Sequence, residues 1–424
     1  MVAVSAPTIS DDEIFHQLDV KLGTSGAVPA ANVVRRDRLR AFIADRMTQT
    51  AFYDRVAPEF TRPASGGGSL TVLPHTLKHD GDLFYLDAPC APKDRIAIAP
   101  WWNLATTVKV CRDDVHPEVV SYDEDGVTTY CEGSERPFER RFHSPCRCGA
   151  NLIHCATPEL QKQMLAALDD EQIRTFEYIV REQLPFSSSI MTLDKSARSD
   201  LADFFYARAE SFVTGKLAYP PPQENSVRVR PRPAHFNVGL VTTWPWLALD
   251  DGVRPRVAGL WGVLCANLKS RNVNPEQMFA AIHPNLVAAK AGNFRYSVHL
   301  ELASASGCDS CHRVLEHAAL ALDGYPVARF GSRYVEPAKA ATTKLFVDDD
   351  QRAEGPATVE WLARSLAVQP EFQQCVVDNT LHFLFDGYDT PDRERQQLID
   401  SFTKSQDFKQ LFSDAVVARY LGDN

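Results

Sequence analysis

The sequence predicts a mainly α protein, with a helical C-terminal region and an N-terminal half in which helix alternates with a β-rich, irregular layer. Three observations carry this. Between Arg35 and Phe60 the apolar residues Leu39, Phe42, Ile43, Met47, Phe52 and Val56 recur at three- and four-residue spacings, which puts them on one helical face. Thr157-Pro158-Glu159 is a helix start, with a hydroxyl to cap, a proline at the first helical position and an acid in the first turn. From about residue 253 to the end, nearly every segment carries a helical period.

The elements follow in order. Pro63 and the Gly66-Gly67-Gly68 run end the first helical stretch. The texture from Ser69 to about Cys146 is short and β-rich, as in SLTVL, RIAIA and ATTVKV, with Asp125-Gly126 marking a hairpin before VTTYC. After Thr157, the face formed by Leu160, Met164, Leu165, Leu168, Ile173, Phe176 and Ile179 predicts a helix toward Pro185, broken near Asp169-Asp170. A second helix is expected over 196–215, stopped by Gly215. The proline- and charge-rich stretch 217–236 reads as a long loop or boundary. Further helices are expected near 254–270, 275–290, 310–322, 355–368, 370–384, 391–403 and 406–420, with Thr390 capping the helix that begins at Pro391. The regions are then 1–150, 151–235 and 236–424, and no internal repeat emerges.

Charge and hydropathy limit the function classes. Lys and Arg total 45 against 55 Asp and Glu, a formal charge of −10, which argues against nucleic-acid binding through a basic stripe. No stretch approaches the ~18 uninterrupted apolar residues of a membrane helix. MVAVSAPTISDDEIF turns acidic at Asp11 and does not read as a secretory signal.

The sharpest motif is Cys308-Asp309-Ser310-Cys311-His312, the C-x-x-C-H attachment pattern of a c-type haem. On one helical turn, thiols three apart reach two carbons on one porphyrin edge, and the adjacent imidazole turns under the ring as proximal iron ligand. With ten Cys and twelve His in the chain, chance placement would produce the pentapeptide with a probability of about 0.007. A redox dithiol would want a βαβ context, and ASASG precedes the pair. Half a zinc site would want a second pair close by, and none follows.

The opposite face of the iron is less determined. Met1, Met47, Met164, Met191 and Met278 are the only methionines, and none follows His312. The distal ligand is therefore Met278 or a histidine, with His299 and His382 the leading candidates beside His283 and His317, or the iron is open. An open iron favours chemistry on a small molecule over pure electron transfer. His317 lies five residues beyond His312 on the same expected helix, which disfavours it for the opposite face.

GCDSCHRVLEHAALALDGY (307–325) resembles the haem block of the planctomycete-type cytochrome c proteins, large extracytoplasmic haem proteins also found in myxobacteria. Gly239-Leu240-Val241-Thr242, Trp246-Leu247-Ala248, Arg256-Val257-Ala258-Gly259 and Leu264-Cys265 are similar to that family's upstream segment, and 361–416 to its closing helical module. The resemblance spans about 191–424 and implies a cytochrome c-like helical region with one covalent haem c and a periplasmic or otherwise extracytoplasmic location, any leader being absent from this chain. It also places His299 near the position of a family histidine that precedes the haem motif, with a longer spacer.

Eight cysteines remain, and the oxidising compartment that the resemblance implies permits disulfides among them. The family blocks that carry Cys265 and Cys375 both lie in the C-terminal half, which favours that pair and leaves Cys90, Cys111, Cys131, Cys146, Cys148 and Cys155 to staple the β-rich layer. A competing reading makes Cys146, Cys148, His154 and Cys155, with His143 nearby, a zinc or copper site. Trp101, Trp102, Trp244 and Trp246 read as core before pocket lining. Arg329 and Arg333, some twenty residues past the motif, are placed to bond the haem propionates or else sit on an exposed turn.

The functional expectation is single-electron transfer with a redox partner protein or a larger membrane-associated redox assembly, the acidic surface favouring a basic partner. The alternatives are a haem enzyme of peroxidase or oxidase type with an open iron, and a disulfide-stapled structural subunit of a redox assembly.

Overall fold

The computed structural model describes residues 10–30, 34–61, 75–115, 147–153, 155–214, 226–247, 265, 317–318, 320–322, 342–347, 350–385 and 391–421. Along these residues the protein is mainly α.

The N-terminal helices are α1 (Asp11–Leu22), α2 (Arg35–Arg46), α3 (Thr50–Val56) and α4 (Pro58–Thr61). Ser10 caps α1 by accepting from the Glu13 backbone N–H, and Asp11, Asp12 and Glu13 face the positive end of its dipole. All six residues of the expected apolar face are buried, from Leu39 to Val56. Arg46 is also buried. Its guanidinium donates to both carboxylate oxygens of Asp19 at 2.5 and 3.0 Å and lies 4.1 Å over the Phe42 ring, so α1 and α2 are joined by a charge whose desolvation is offset on two sides.

The β-rich layer holds a four-stranded sheet in the order β2 (Lys78–Asp80), β3 (Leu83–Tyr85), β5 (Val108–Cys111), β4 (Arg95–Ile98), in which only β3 and β5 run parallel. RIAIA and ATTVKV supply β4 and β5 as expected. SLTVL and Asp125-Gly126 lie outside the described residues. A two-residue strand β1 (His75–Thr76) runs parallel to β6 (Cys155–Ala156) and brings the start of the layer beside its end.

Thr157 caps α5 (Pro158–Arg181) as the sequence predicts, accepting from Leu160 N–H. The expected break at Asp169-Asp170 does not occur. Asp169 is exposed, and Asp170 accepts from Arg174 Nε at 2.9 Å one turn on, so neither acid burdens the helix. After α6 (Phe186–Thr192), residues 196–198 are strand rather than helix: β7 (Lys195–Arg198) pairs antiparallel with β8 (Arg228–Pro231), which lies inside the stretch read as loop. Buried Arg198 fixes the pairing by donating to the carbonyls of Arg230 and Pro231. Helix α7 (Asp200–Thr214) starts only after it, and α8 (Trp244–Leu247) is a single turn.

Toward the C-terminus, the sequence reading missed a hairpin, β9 (Thr342–Val347) with β10 (Asp350–Pro356), which takes the start of the helix expected at 355. Helix α9 (Val359–Ala367) begins at the cap Thr358, and α10 (Pro370–Phe385), α11 (Asp392–Ser405) and α12 (Phe408–Leu421) follow. The N-cap of α11 is Pro391, one residue later than expected, and Thr390 lies outside the described residues. Of the helices expected at 254–270 and 275–290 only Cys265 is described. Of 310–322, residues 317–318 and 320–322 are described and helical.

Two apolar clusters organise the interior. The larger joins residues of α1 to α3, α5, α6, α8, the segment at 318–322, β9 and α9 to α12, and so draws on all three regions of the sequence. The smaller packs the sheet against Met164 and Leu168 of α5 and Leu201 to Tyr206 of α7.

Candidate functional site

Cys308, Cys311, His312, His299, Met278, Arg329 and Arg333 lie outside the described residues. The described chain next to the motif is the helical piece at 317–322, and it is anchored. Ala318, Ala321 and Leu322 belong to the larger apolar cluster, while Leu320 packs with Ala357. The His317 ring lies against Phe346 with centroids 5.4 Å apart, and the Thr343 hydroxyl donates to the His317 carbonyl. Strand β9 therefore holds the chain five to ten residues past His312. The candidate His382 is exposed on α10 between buried Leu381 and Phe383.

Among the described residues six cysteines are joined: Cys90–Cys111, Cys148–Cys155 and Cys265–Cys375. The last is the pair that the resemblance favours, and the first two staple the β-rich layer. The zinc or copper alternative is corrected here, because Cys148 and Cys155 are bonded to each other and a disulfide sulfur is no thiolate donor. Cys146, His143 and His154 lie outside the described residues, and among the described residues no group of three His, Cys, Asp or Glu side chains is placed to hold a metal ion. Cys131 also lies outside them.

Trp101 and Trp246 behave as core. Trp101 stacks on Phe204 with centroids 4.1 Å apart and planes 6° from parallel, and its indole N–H donates to the Cys155 carbonyl at 2.9 Å. Trp246 is buried and donates to the Thr61 carbonyl at 2.8 Å. Trp102 is half-buried edge-on to Trp101, and the Trp244 side chain lies outside the described set.

One polar cluster was not foreseen. Glu171 on α5, with its carboxylate fully buried, accepts from the Tyr206 hydroxyl at 2.7 Å, and Arg232 Nε stands 3.4 Å from its other oxygen. Arg232 also donates to the carbonyls of Phe236 and Gly239. Its only sequence signal was an arginine between two prolines in a segment read as loop. Gly239, three residues past that segment, sits at φ 43°, where a Cβ would run into the Met191 backbone carbonyl. The cluster ties β8's chain to α5 and α7.

An open cleft of about 250 Å³ between α2, α11 and α12 is lined by Arg36, Arg40, Glu394 and Asp414 among others. Arg40 pairs with Asp414 at 2.6 Å, so the charges there oppose each other. The cleft gathers none of the residues singled out by the sequence. No helix among the described residues is long and apolar enough to cross a membrane. No family model, curated protein or solved structure matches the chain.

Proposed function

We propose that this chain is an extracytoplasmic c-type haem protein that passes single electrons through one covalently bound haem c. The observation that carries the reading is the pentapeptide Cys308 to His312. Its donor set suits the group: two thiols for the ring edge and an imidazole for the iron. Among the described residues three disulfides form, Cys90–Cys111, Cys148–Cys155 and Cys265–Cys375. The same disulfides accord with an oxidising compartment.

When bound, such a haem supplies a reversible one-electron couple. The chain's own residues fix and shelter it. Cys308 and Cys311 would hold the ring through thioether bonds, His312 would give its imidazole nitrogen to the iron, and Arg329 and Arg333 would balance the propionate charge. Thr343 and Phe346, by holding His317, keep the segment beyond the motif from drifting. The partner is a redox protein or a membrane-associated redox assembly with a basic docking face, matched to a chain of net charge −10.

The absence of any methionine after His312 favours one second reading, an iron left open on its distal side and acting on peroxide or an organic substrate. A protein made with a c-type maturation system separates the two. Low-spin bands indifferent to carbon monoxide and cyanide are expected for electron transfer, and ready binding of either gas or anion overturns it in favour of the enzyme. Haem staining that vanishes from a denaturing gel of the unmodified chain overturns both.

A further inference from the structure

The three disulfides among the described residues differ in access. Cys148 and Cys155 are both 0 % exposed, and Cys90–Cys111 joins a half-buried to a buried residue. Cys265–Cys375 pairs buried Cys375, on α10, with a cysteine exposed to solvent. Asn379, one turn along α10, spans this bond with its amide: Nδ2 donates to Cys375 Sγ at 3.7 Å, and Oδ1 stands 3.8 Å from Cys265 Sγ. Cys265 is also held at φ 50°, in the left-handed region that a residue with a side chain seldom occupies unless constrained.

We infer that Cys265–Cys375 is a thiol–disulfide exchange site, opened by an extracytoplasmic dithiol protein through attack on Cys265. Exchange requires an in-line approach to one sulfur and departure of the other as thiolate, and the better the leaving thiolate is stabilised the faster it goes. Exposure offers the Cys265 sulfur to the attacker. The Asn379 amide donor stabilises negative charge on Cys375, and its carbonyl oxygen is placed to accept from a Cys265 thiol afterwards.

The chemistry balances. The partner's first thiol loses its proton and attacks Cys265 Sγ; a mixed disulfide forms, the Cys265–Cys375 bond breaks, and its electron pair leaves on Cys375, which is then protonated. The partner's second thiol attacks its own first sulfur and expels Cys265 as thiol. The partner ends as a disulfide, and two electrons and two protons reside on the two cysteines. Helix α10 survives this, because Phe372, Val376, Val377 and Leu381 hold it in the core independently of the bond. What changes is the tether of the chain at 265, which closes a loop of sequence separation 110 that contains Cys308 to His312. Any effect on a haem, and the extracytoplasmic setting of the partner, rest on the proposed function; the exchange chemistry at Cys265–Cys375 does not.

The test uses the full folded chain. A dithiol oxidoreductase with its resolving cysteine replaced by serine is mixed with the protein, trapped complexes are digested, and the joined cysteine is identified by mass. A mixed disulfide on Cys265 is expected; one on Cys375, Cys90 or Cys148, or none, overturns the proposal. In parallel, dithiothreitol reduction under native conditions with timed alkylation should label Cys265 and Cys375 at least about tenfold faster than Cys148 and Cys155, and equal rates overturn it. Asn379→Ala should slow opening of this bond alone by about threefold, as expected for one pKa unit on the leaving thiol, with the rate at Cys90–Cys111 and the thermal midpoint unchanged. An unchanged rate removes the role assigned to Asn379. Neither assay reads haem, so its outcome is independent of whether one is attached.

Discussion

The imidazole of His317 lies flat-tilted against Phe346, 35° between planes, while its own backbone carbonyl takes the Thr343 hydroxyl. This makes His317 part of the seam between the post-motif helix and β9. Phe346→Ala should cost about 3 kcal/mol of stability by opening a cavity in that seam, measured by denaturant unfolding. His317→Ala should leave the position of the haem bands unchanged, because the residue packs on the hairpin; a band shift would make it a ligand.

Buried charge sets a second expectation. Glu171→Ala strands Arg232, whose side chain is 1 % exposed, and removes the acceptor of Tyr206. Loss of about 3 kcal/mol is expected, as for breaking one partner of a buried pair, read from the denaturant midpoint. Replacing Glu171 and Arg232 together by apolar residues of similar volume should recover most of that loss. A double variant as unstable as the single one would contradict the pairing.

Gly239 allows a sharper substitution. At φ 43° with Met191 backbone on the far side, Gly239→Ala has both a strained conformation and a clash that no rotamer relieves. Destabilisation on the order of 3 kcal/mol is expected, and a wild-type melting temperature would show that the close approach does not exist in solution.

Tyr53 carries the pH dependence. Burial against Phe52 and Phe176 pushes its phenol up to about 12 from 10, against a smaller opposing pull from Arg181. A phenol that ionises later folded than unfolded lends stability fully present below pH 10 and lost as the pH rises through 12. Tyr53→Phe should therefore flatten the decline of stability between pH 10 and 12 while lowering it slightly at neutral pH through loss of the hydroxyl's bond to the Met47 carbonyl. Parallel pH curves for the two proteins would refute this assignment.

The helical parts were legible because their signals are local. Thr157-Pro158 named the start of α5, and the period of Leu39 to Val56 named a face that is buried throughout. The strands were harder. β7 and β8 are four residues each, lie 30 residues apart, and are held by Arg198 reaching across to two carbonyls, a pairing that no window of sequence contains. The β9–β10 hairpin escaped for a related reason: β10 alternates charged and small residues with little apolar pattern, and a bulge at Arg352 interrupts its register. The haem motif was readable as spacing alone. The Glu171, Tyr206 and Arg232 cluster was not, since its members are far apart in the chain and each looks like an ordinary surface residue.

The central claim is covalent attachment of one haem at Cys308 and Cys311, and the most direct measurement is the intact mass of the protein after maturation in a c-type system and full denaturation. The account predicts a mass above that of the polypeptide by one iron protoporphyrin, retained in acid and organic solvent, and lost when both cysteines are changed to alanine. A mass equal to the bare chain, with Cys308 and Cys311 recovered as thiols or as a disulfide, would contradict it.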